Sequence, residues 1–422
     1  MLLSESLGTQ ATVGRVDLGF FNRVIIDDVI IPDLQGDTLL RTGRLSVKAA
    51  LLPLLEGRID IPSAQLFGVH LRLFQADSTS APNYQFVIDA LSSDSDTTDT
   101  SPLDLHIGSL IVRHSSVCYD YGRRAGTGPA PTFNPAHVAV SDISTHLALK
   151  SLRPDTLDIH LKRLSLREQS GFVLEDFTAR LTAGPTAAHL RDFRLQLPRS
   201  VVAIDTLDAT YDSGPRADSL DLRRISETLH YHASLDATIT PDDLSPLTPH
   251  LSPLTPHSLT LNASLSGTAK SLSFPRLLVS SDGLAVSASG SIHADSTIPT
   301  GHIRLDQCDV SATFIAALKK MIPSIPDELT RLGNVQVTGH ALRQHDGQCD
   351  VQATASTTVG DARLLFTMDS QEHFTASFAT DSLHLGQLLA NDDLGHIASD
   401  VSLSGTKERG EGTAILHHLQ NR

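Results

Sequence analysis

Twenty histidines and three cysteines are the side chains in this sequence most able to do chemistry, and their spacing gives them little to act on. His230 and His232 stand one residue apart, so on a strand both would lie on one face and offer two imidazoles to a metal. No Cys, Asp or Glu cluster near them completes a ligand set, and solvated histidines are the plainer reading. His417 and His418 form the other close pair. Cys118, Cys308 and Cys349 make no disulfide framework, because an odd number leaves at least one thiol unpaired; they read as small buried apolar residues. The aspartates between Ser92 and Pro102 (SSDSDTTDTSP) lack the glycine and terminal glutamate of a calcium loop and read as a polar loop. In the Gly/Pro-rich stretch Gly122 to Pro135, the sequence GTGP is not followed by Gly-Lys-Ser/Thr, so it is no phosphate cradle. Nucleophile-elbow, zinc-protease, Cys-x-x-Cys and dinucleotide fingerprints are all missing. The expectation is a protein that is not an enzyme and holds neither metal nor cofactor.

What fills the chain instead is alternation. Leu45 and Val47 alternate with Ser46 and Lys48, Ile59 and Ile61 flank Asp60, and Val69, Leu71 and Leu73 are spaced by His70 and Arg72. Period two makes a strand with one apolar and one wet face. Only 5% of the 422 residues are aromatic and there is no Trp, a composition suited to an array of aliphatic strands. The formal charge of −15 argues against a nucleic-acid partner. The longest apolar run, Ala49 to Leu55, is far shorter than the roughly 20 residues of a membrane span and contains Pro53. Met1 to Gln10 has neither the basic start nor the apolar centre of a signal peptide.

The alternating stretch GFFNRVIIDDVIIPDLQGDTLL (Gly19 to Leu40), RLSVKAALLPLLEGRIDIPSAQLFGVHLRLF (Arg44 to Phe74) and KRLSLREQSGFVLEDF (Lys162 to Phe177) resembles the N-terminal part of TamB proteins of the Bacteroidetes type, members of the AsmA-like group of envelope proteins. The likeness is dense over Leu7 to Leu91 and fades beyond about Ala217 into a shared style of repeat. It implies a mostly β fold, an elongated, repetitive, curled sheet forming a greasy groove (taco- or solenoid-like) with a few short helices. It implies two regions, an N-terminal β-groove over 1–215 and an AsmA/TamB-like repeat region over 216–422. The setting it implies is the periplasm of a Gram-negative envelope, with phospholipid as cargo and an outer-membrane β-barrel of the Omp85 or TamA type as partner. An N-terminal helix would tie such a protein to the inner membrane; Met1 falls where that helix would end, so the chain is expected to be a fragment open at both ends.

Three further patterns bear on the elements. The apolar phase slips by one residue from Ile107 to Leu110, from Ile159–Leu161 to Leu164–Leu166, and from Val202–Ile204 to Leu207–Ala209–Tyr211. Each slip is either a strand bent at a corner or a simple hairpin. The segments Ser258 to Gly267, Leu332 to His340 and Leu394 to Gly405 share one form, alternation and then Gly, with Gly267, Gly339 and Gly405 about 70 residues apart. Short helices are expected over Tyr84, Val87, Ile88 and Leu91, over Phe314, Ile315, Leu318 and Ile322, over Pro326 to Leu332, and over Pro241 to Leu251. A polar turn at Ser213 to Ser219 marks the internal boundary.

The candidate lining of the groove is Leu259, Leu261, Leu265, Leu284, Val286, Val335, Val337, Leu364, Phe366, Phe374 and Phe378. By periodicity alone these residues serve equally as the core of a closed sandwich. Three functions follow: a conduit carrying phospholipid between inner and outer membrane, a scaffold for assembly and translocation of outer-membrane β-barrel proteins, and a catalytic β-solenoid.

Overall fold

The structure is a computed structural model and describes residues 8–19, 22–48, 60–92, 106–122, 132–153, 156–212, 222–248, 258–294, 298–391, 393–406 and 409–419. The apolar run at 49–55, most of the aspartate-rich segment, the turn at 213–219 and the 215/216 boundary lie outside them. The chain is mostly β: among the described residues 66% are strand, 22 strands lie in open curled sheet, and the helices are few and short. Two compact units are distinguished, the first built on Met1–Val201 with Ala217–Ser219 and Asp243–Pro249, so that the end of the short helix at Pro241–Leu244 belongs to it, and the second on Val202–Arg216, Leu220–Asp242 and His250–Arg422.

In the first unit, the strands are β1 (Thr12–Gly19), β2 (Arg23–Pro32), β3 (Thr38–Lys48), β4 (Asp60–Ile61), β5 (Ser63–Gln75), β6 (His106–Ile107), β7 (Ser109–Tyr121), β8 (His137–Arg153), β9 (Thr156–Glu168), β10 (Val173–Leu174), β11 (Asp176–Ala183) and β12 (Ala187–Gln196). Each of β1, β2, β3 and β5 pairs antiparallel with the next, β5 and β7 run parallel, and β7, β8, β9, β11 and β12 continue antiparallel. The parallel step needs a crossover, and helix α1 (Gln85–Ser92), just after Pro82 and Asn83, lies in it.

A row of special residues crosses this ladder. The register sets Gly14, Asp28, Gly43, Gly68 and His114 side by side on β1, β2, β3, β5 and β7, with Asp142 of β8 beside them. Asp28, Gly68, His114 and Asp142 have φ of 53°, 63°, 50° and 53°. A left-handed residue does not continue the pleat, so the strand bends and its side-chain phase restarts. Glycine, Asp and His are among the residues that tolerate this conformation. The apolar residues on either side of the row therefore keep to one face although their numbering changes parity: Leu66 before Val69 and Leu71 on β5, and Val112 before Val117 and Tyr119 on β7. The slips recognised in the sequence are not hairpins. Those at 161/164 and 204/207 lie inside single strands, and that at 107/110 is the break at Gly108 between β6 and β7.

The second unit holds β13 (Val201–Thr210), α2 (Leu222–Thr228), β14 (His230–Ile239), α3 (Pro241–Leu244), β15 (Leu259–Thr268), β16 (Ser271–Ser281), β17 (Leu284–His293), β18 (Thr300–Val310), α4 (Ala312–Met321), α5 (Asp327–Arg331), β19 (Val335–Arg343), β20 (Cys349–Thr357), β21 (Gly360–Met368), β22 (Phe374–His384), α6 (Leu385–Leu389), β23 (His396–Gly405) and β24 (Gly410–Leu419). From β14 to β24 every strand pairs antiparallel with the next. The repeated segments are β15, β19 and β23, every fourth strand. A helical connection precedes each of them, so α3, α4–α5 and α6 all stand at the same strand ends. A Cβ at Gly339 would run into the backbone of Gln352 on β20, and one at Gly405 into that of Arg409, which is why the segments carry glycine there.

Fully buried apolar side chains in this sheet are mostly small, among them Ala233, Ala237, Ala263 and Ala288. The one cluster with large side chains is at the helical rim, where Phe314 and Ala317 of α4 pack on Leu259, Leu284, Val310 and Met321. Helix α4 starts where Ser311 caps it by accepting from Phe314 N, and its stripe buries Phe314 and Ile315; Ile322 falls just past its end and is exposed.

Candidate functional site: one apolar face of the second unit

The ladder register decides which alternate residues meet. Directly opposed residues on antiparallel strands share a face. One row reads Ala237, Leu261, Val279, Val286, Cys308, Val337, Ala355, Ala362 from β14 to β21. A second reads Phe274, Gly290, Ile303, Ala341, Val351, Phe366, Ala376, Leu403 from β16 to β23. Leu364 faces Ala353 and Phe378, and Phe374 faces Met368. Leu259 continues the Leu261 row toward Ile239, Leu265 lies opposite Ala233, and Leu284 and Val335 both face Val310. All eleven candidate lining residues thus fall on one face.

Period two alone would have failed at two strands, β16 and β18. The register shifts by one between Phe274 and Leu277, between Ser287 and Ala288, and between Leu305 and Cys308. Each shift absorbs an extra residue and keeps Phe274, Leu305 and Cys308 with the apolar set. Phe274, Ile303, Leu305, Val351, Val401 and Leu403 belong to this face but were missing from the sequence candidates. For Phe274, Ile303 and Leu305 the signal is the bulge, visible as Phe274–Pro275 in one strand and as a broken alternation in β18; Val351, Val401 and Leu403 follow plain alternation. The opposite face carries Asn262, Ser287, Gln307, Thr338, Gln352 and Arg363, with Leu278, Leu342, Leu365 and Ile415 as apolar exceptions there.

Burial on the apolar face is incomplete. Leu364 is 42% exposed, Leu403 48%, and the other ten candidates are half-buried. Among the described residues the only other sheet is the β4–β6 pair of the first unit, so no separate second sheet closes over this face. Phe366 and Phe374 stack with ring centroids 6.2 Å apart, a flat aromatic surface within the aliphatic one.

The residues first considered for chemistry are scattered. His230 and His232 are exposed on the polar face opposite Thr268 and Ser266, and no group of three ligating side chains occurs among the described residues. Replacing both with Ala is expected to leave the thermal midpoint unchanged; a stoichiometric transition metal lost in that variant would contradict this, as read by elemental analysis. His417 Nε2 lies 2.6 Å from Asp400 Oδ2. All three cysteines are free, and burial raises the thiols of Cys118 and Cys308, the wrong direction for a nucleophilic thiolate. The first unit has two adjoining hollows of about 450 and 700 Å³ that share Thr38, Arg72, Cys118, Ala139 and Gln169; their lining mixes both signs of charge, with His137 and Asp120 3.1 Å apart.

No helix among the described residues is long and apolar enough to cross a membrane. No protein-family model, no curated protein and no solved structure matches the chain.

Proposed function

We propose that the apolar face of the second unit carries the acyl chains of phospholipid, and that the protein is a periplasmic bridge moving lipid between inner and outer membrane of a Gram-negative envelope, delivering to an outer-membrane β-barrel partner. The observation that supports this is the unbroken apolar row from Phe274 to Leu403, half-open to water. An acyl chain of about 16 methylenes, at roughly 0.8 kcal/mol each, costs on the order of 13 kcal/mol to expose. Transit through water therefore needs continuous apolar surface and few specific polar contacts. The envelope setting rests on the TamB resemblance.

The second reading, a scaffold holding outer-membrane β-strands, is favoured by the edge of β24. Ile415 and Leu416 are exposed on β24, apolar side chains that a further strand would cover. Native mass spectrometry of gently extracted protein separates the two. Phospholipid co-purifying with the chain is the expected result; bound peptide selects the scaffold, and an empty chain overturns both.

A further inference from the structure

The first unit carries, where β7, β8 and β9 run side by side, a cationic hollow that the lipid-carrying proposal does not use. Its volume is about 610 Å³, and Arg113, Ser144, His146, Lys162, Arg163 and Ser165 line it together with Ile111 and Val112, with no carboxylate in the lining. Its origin is the slip within β9. His146 of β8 is opposite Arg163, whereas the next residue, Leu147, is opposite Leu161. Lys162 is therefore the extra residue of a bulge, and a bulge re-aims side chains. Two consecutive cations are thus displayed beside His146, while Leu161 and Leu164 stay on the apolar side opposite Leu147 and Thr145.

The cations are close enough to feel one another. Burial, and then Lys162, His160 and Arg113, hold the His146 imidazole below its ordinary pKa. Among the described residues neither Arg113 nor Lys162 has a carboxylate partner, and Arg163 reaches Asp176 only at 3.9 Å. In a chain of net charge −15, cations gathered beside Ser144 and Ser165 in a hollow with no lining carboxylate are a local reversal of sign. A phosphate monoester or diester matches the set: it offers unprotonated oxygens to guanidinium, ammonium and hydroxyl donors.

We infer that the hollow formed by Arg113, His146, Lys162 and Arg163 is a binding site for a phosphate group. A free phosphate compound and a lipid headgroup at a bilayer surface present the same chemistry, and both are tested. Pyrophosphate is titrated into the full chain at low salt by calorimetry, and vesicles of phosphatidylcholine with phosphatidylglycerol are tested by co-flotation. The variants are Lys162→Gln with Arg163→Gln, and, as a charge-matched control on the second unit, Lys270→Gln with Arg276→Gln. Binding in either assay that weakens about tenfold or more in the first variant and less than twofold in the control supports the site; the assay that responds identifies free phosphate or headgroup. Bound phosphate also raises the His146 pKa, read by NMR, because an anion favours the imidazolium. No binding in both assays, or equal losses in the two variants, overturns the inference.

Discussion

Phe366→Asp is expected to strip bound phospholipid from the protein while the sheet stays folded. Phe366 sits mid-row between Val351 and Ala376, with its ring stacked on Phe374. A carboxylate there would have to lie against an acyl chain or force the chain away. Even a cost of ~1.4 kcal/mol lowers occupancy about tenfold, and an unpaired charge against hydrocarbon costs more. The unloaded face is open enough to hydrate that carboxylate, since neighbouring Leu364 is 42% exposed. Leu261→Asp should behave alike, and Phe366→Leu should keep its lipid. Native mass spectrometry reads the loss and circular dichroism reads the fold. Global unfolding of both Asp variants would mean that these residues lie in a closed core, and the lipid-carrying proposal would fail.

Phe314→Ala is expected to give the largest loss of stability of any single truncation in the second unit. Phe314 is 4% exposed, and with Ala317 it docks α4 on Leu259, Leu284 and Val310. Removing a buried phenyl ring costs about 3–5 kcal/mol where the surroundings collapse only partly. Elsewhere the buried apolar side chains of the sheet are mostly alanine, and Phe274, the other buried ring, is 8% exposed against 4% for Phe314. Urea denaturation of the second unit's transition would register the change. A loss under about 1 kcal/mol, well below that for a buried ring, would show that α4 is not held on the sheet in solution.

The two experiments probe different parts of one surface. Phe366 tests the open stretch, whereas Phe314 tests the rim where a helix already occupies apolar residues that acyl chains would otherwise cover. Helices α3, α4–α5 and α6 recur at that rim, and Arg331 Nη1 of α5 donates to Leu388 O of α6 at 3.2 Å, tying successive helical connections together.

Local alternation was enough to determine that the chain is strand-rich, to place the repeats of β15, β19 and β23, and to pick eleven residues that lie on one face. Side-chain direction in a strand has period two, and that information is complete within each segment. The start of α4 was also legible, since Ser311 supplies its cap, but its inward stripe ended a turn early, because Ile322 falls past the last helical residue. What the tertiary structure decided is how segments join. The slip at Leu161–Leu164 reads identically as hairpin or bend until β8 lies alongside and fixes His146 against Arg163 and Leu147 against Leu161. The row Gly14, Asp28, Gly43, Gly68, His114 is invisible in sequence, because its members are separated by unequal loops and only the register aligns them. Phe274 and Leu305 were likewise lost to a parity count that a bulge resets. A strand's own residues fix its two faces, but which face meets its neighbours' apolar side depends on pairing, and pairing is a property of two strands at once.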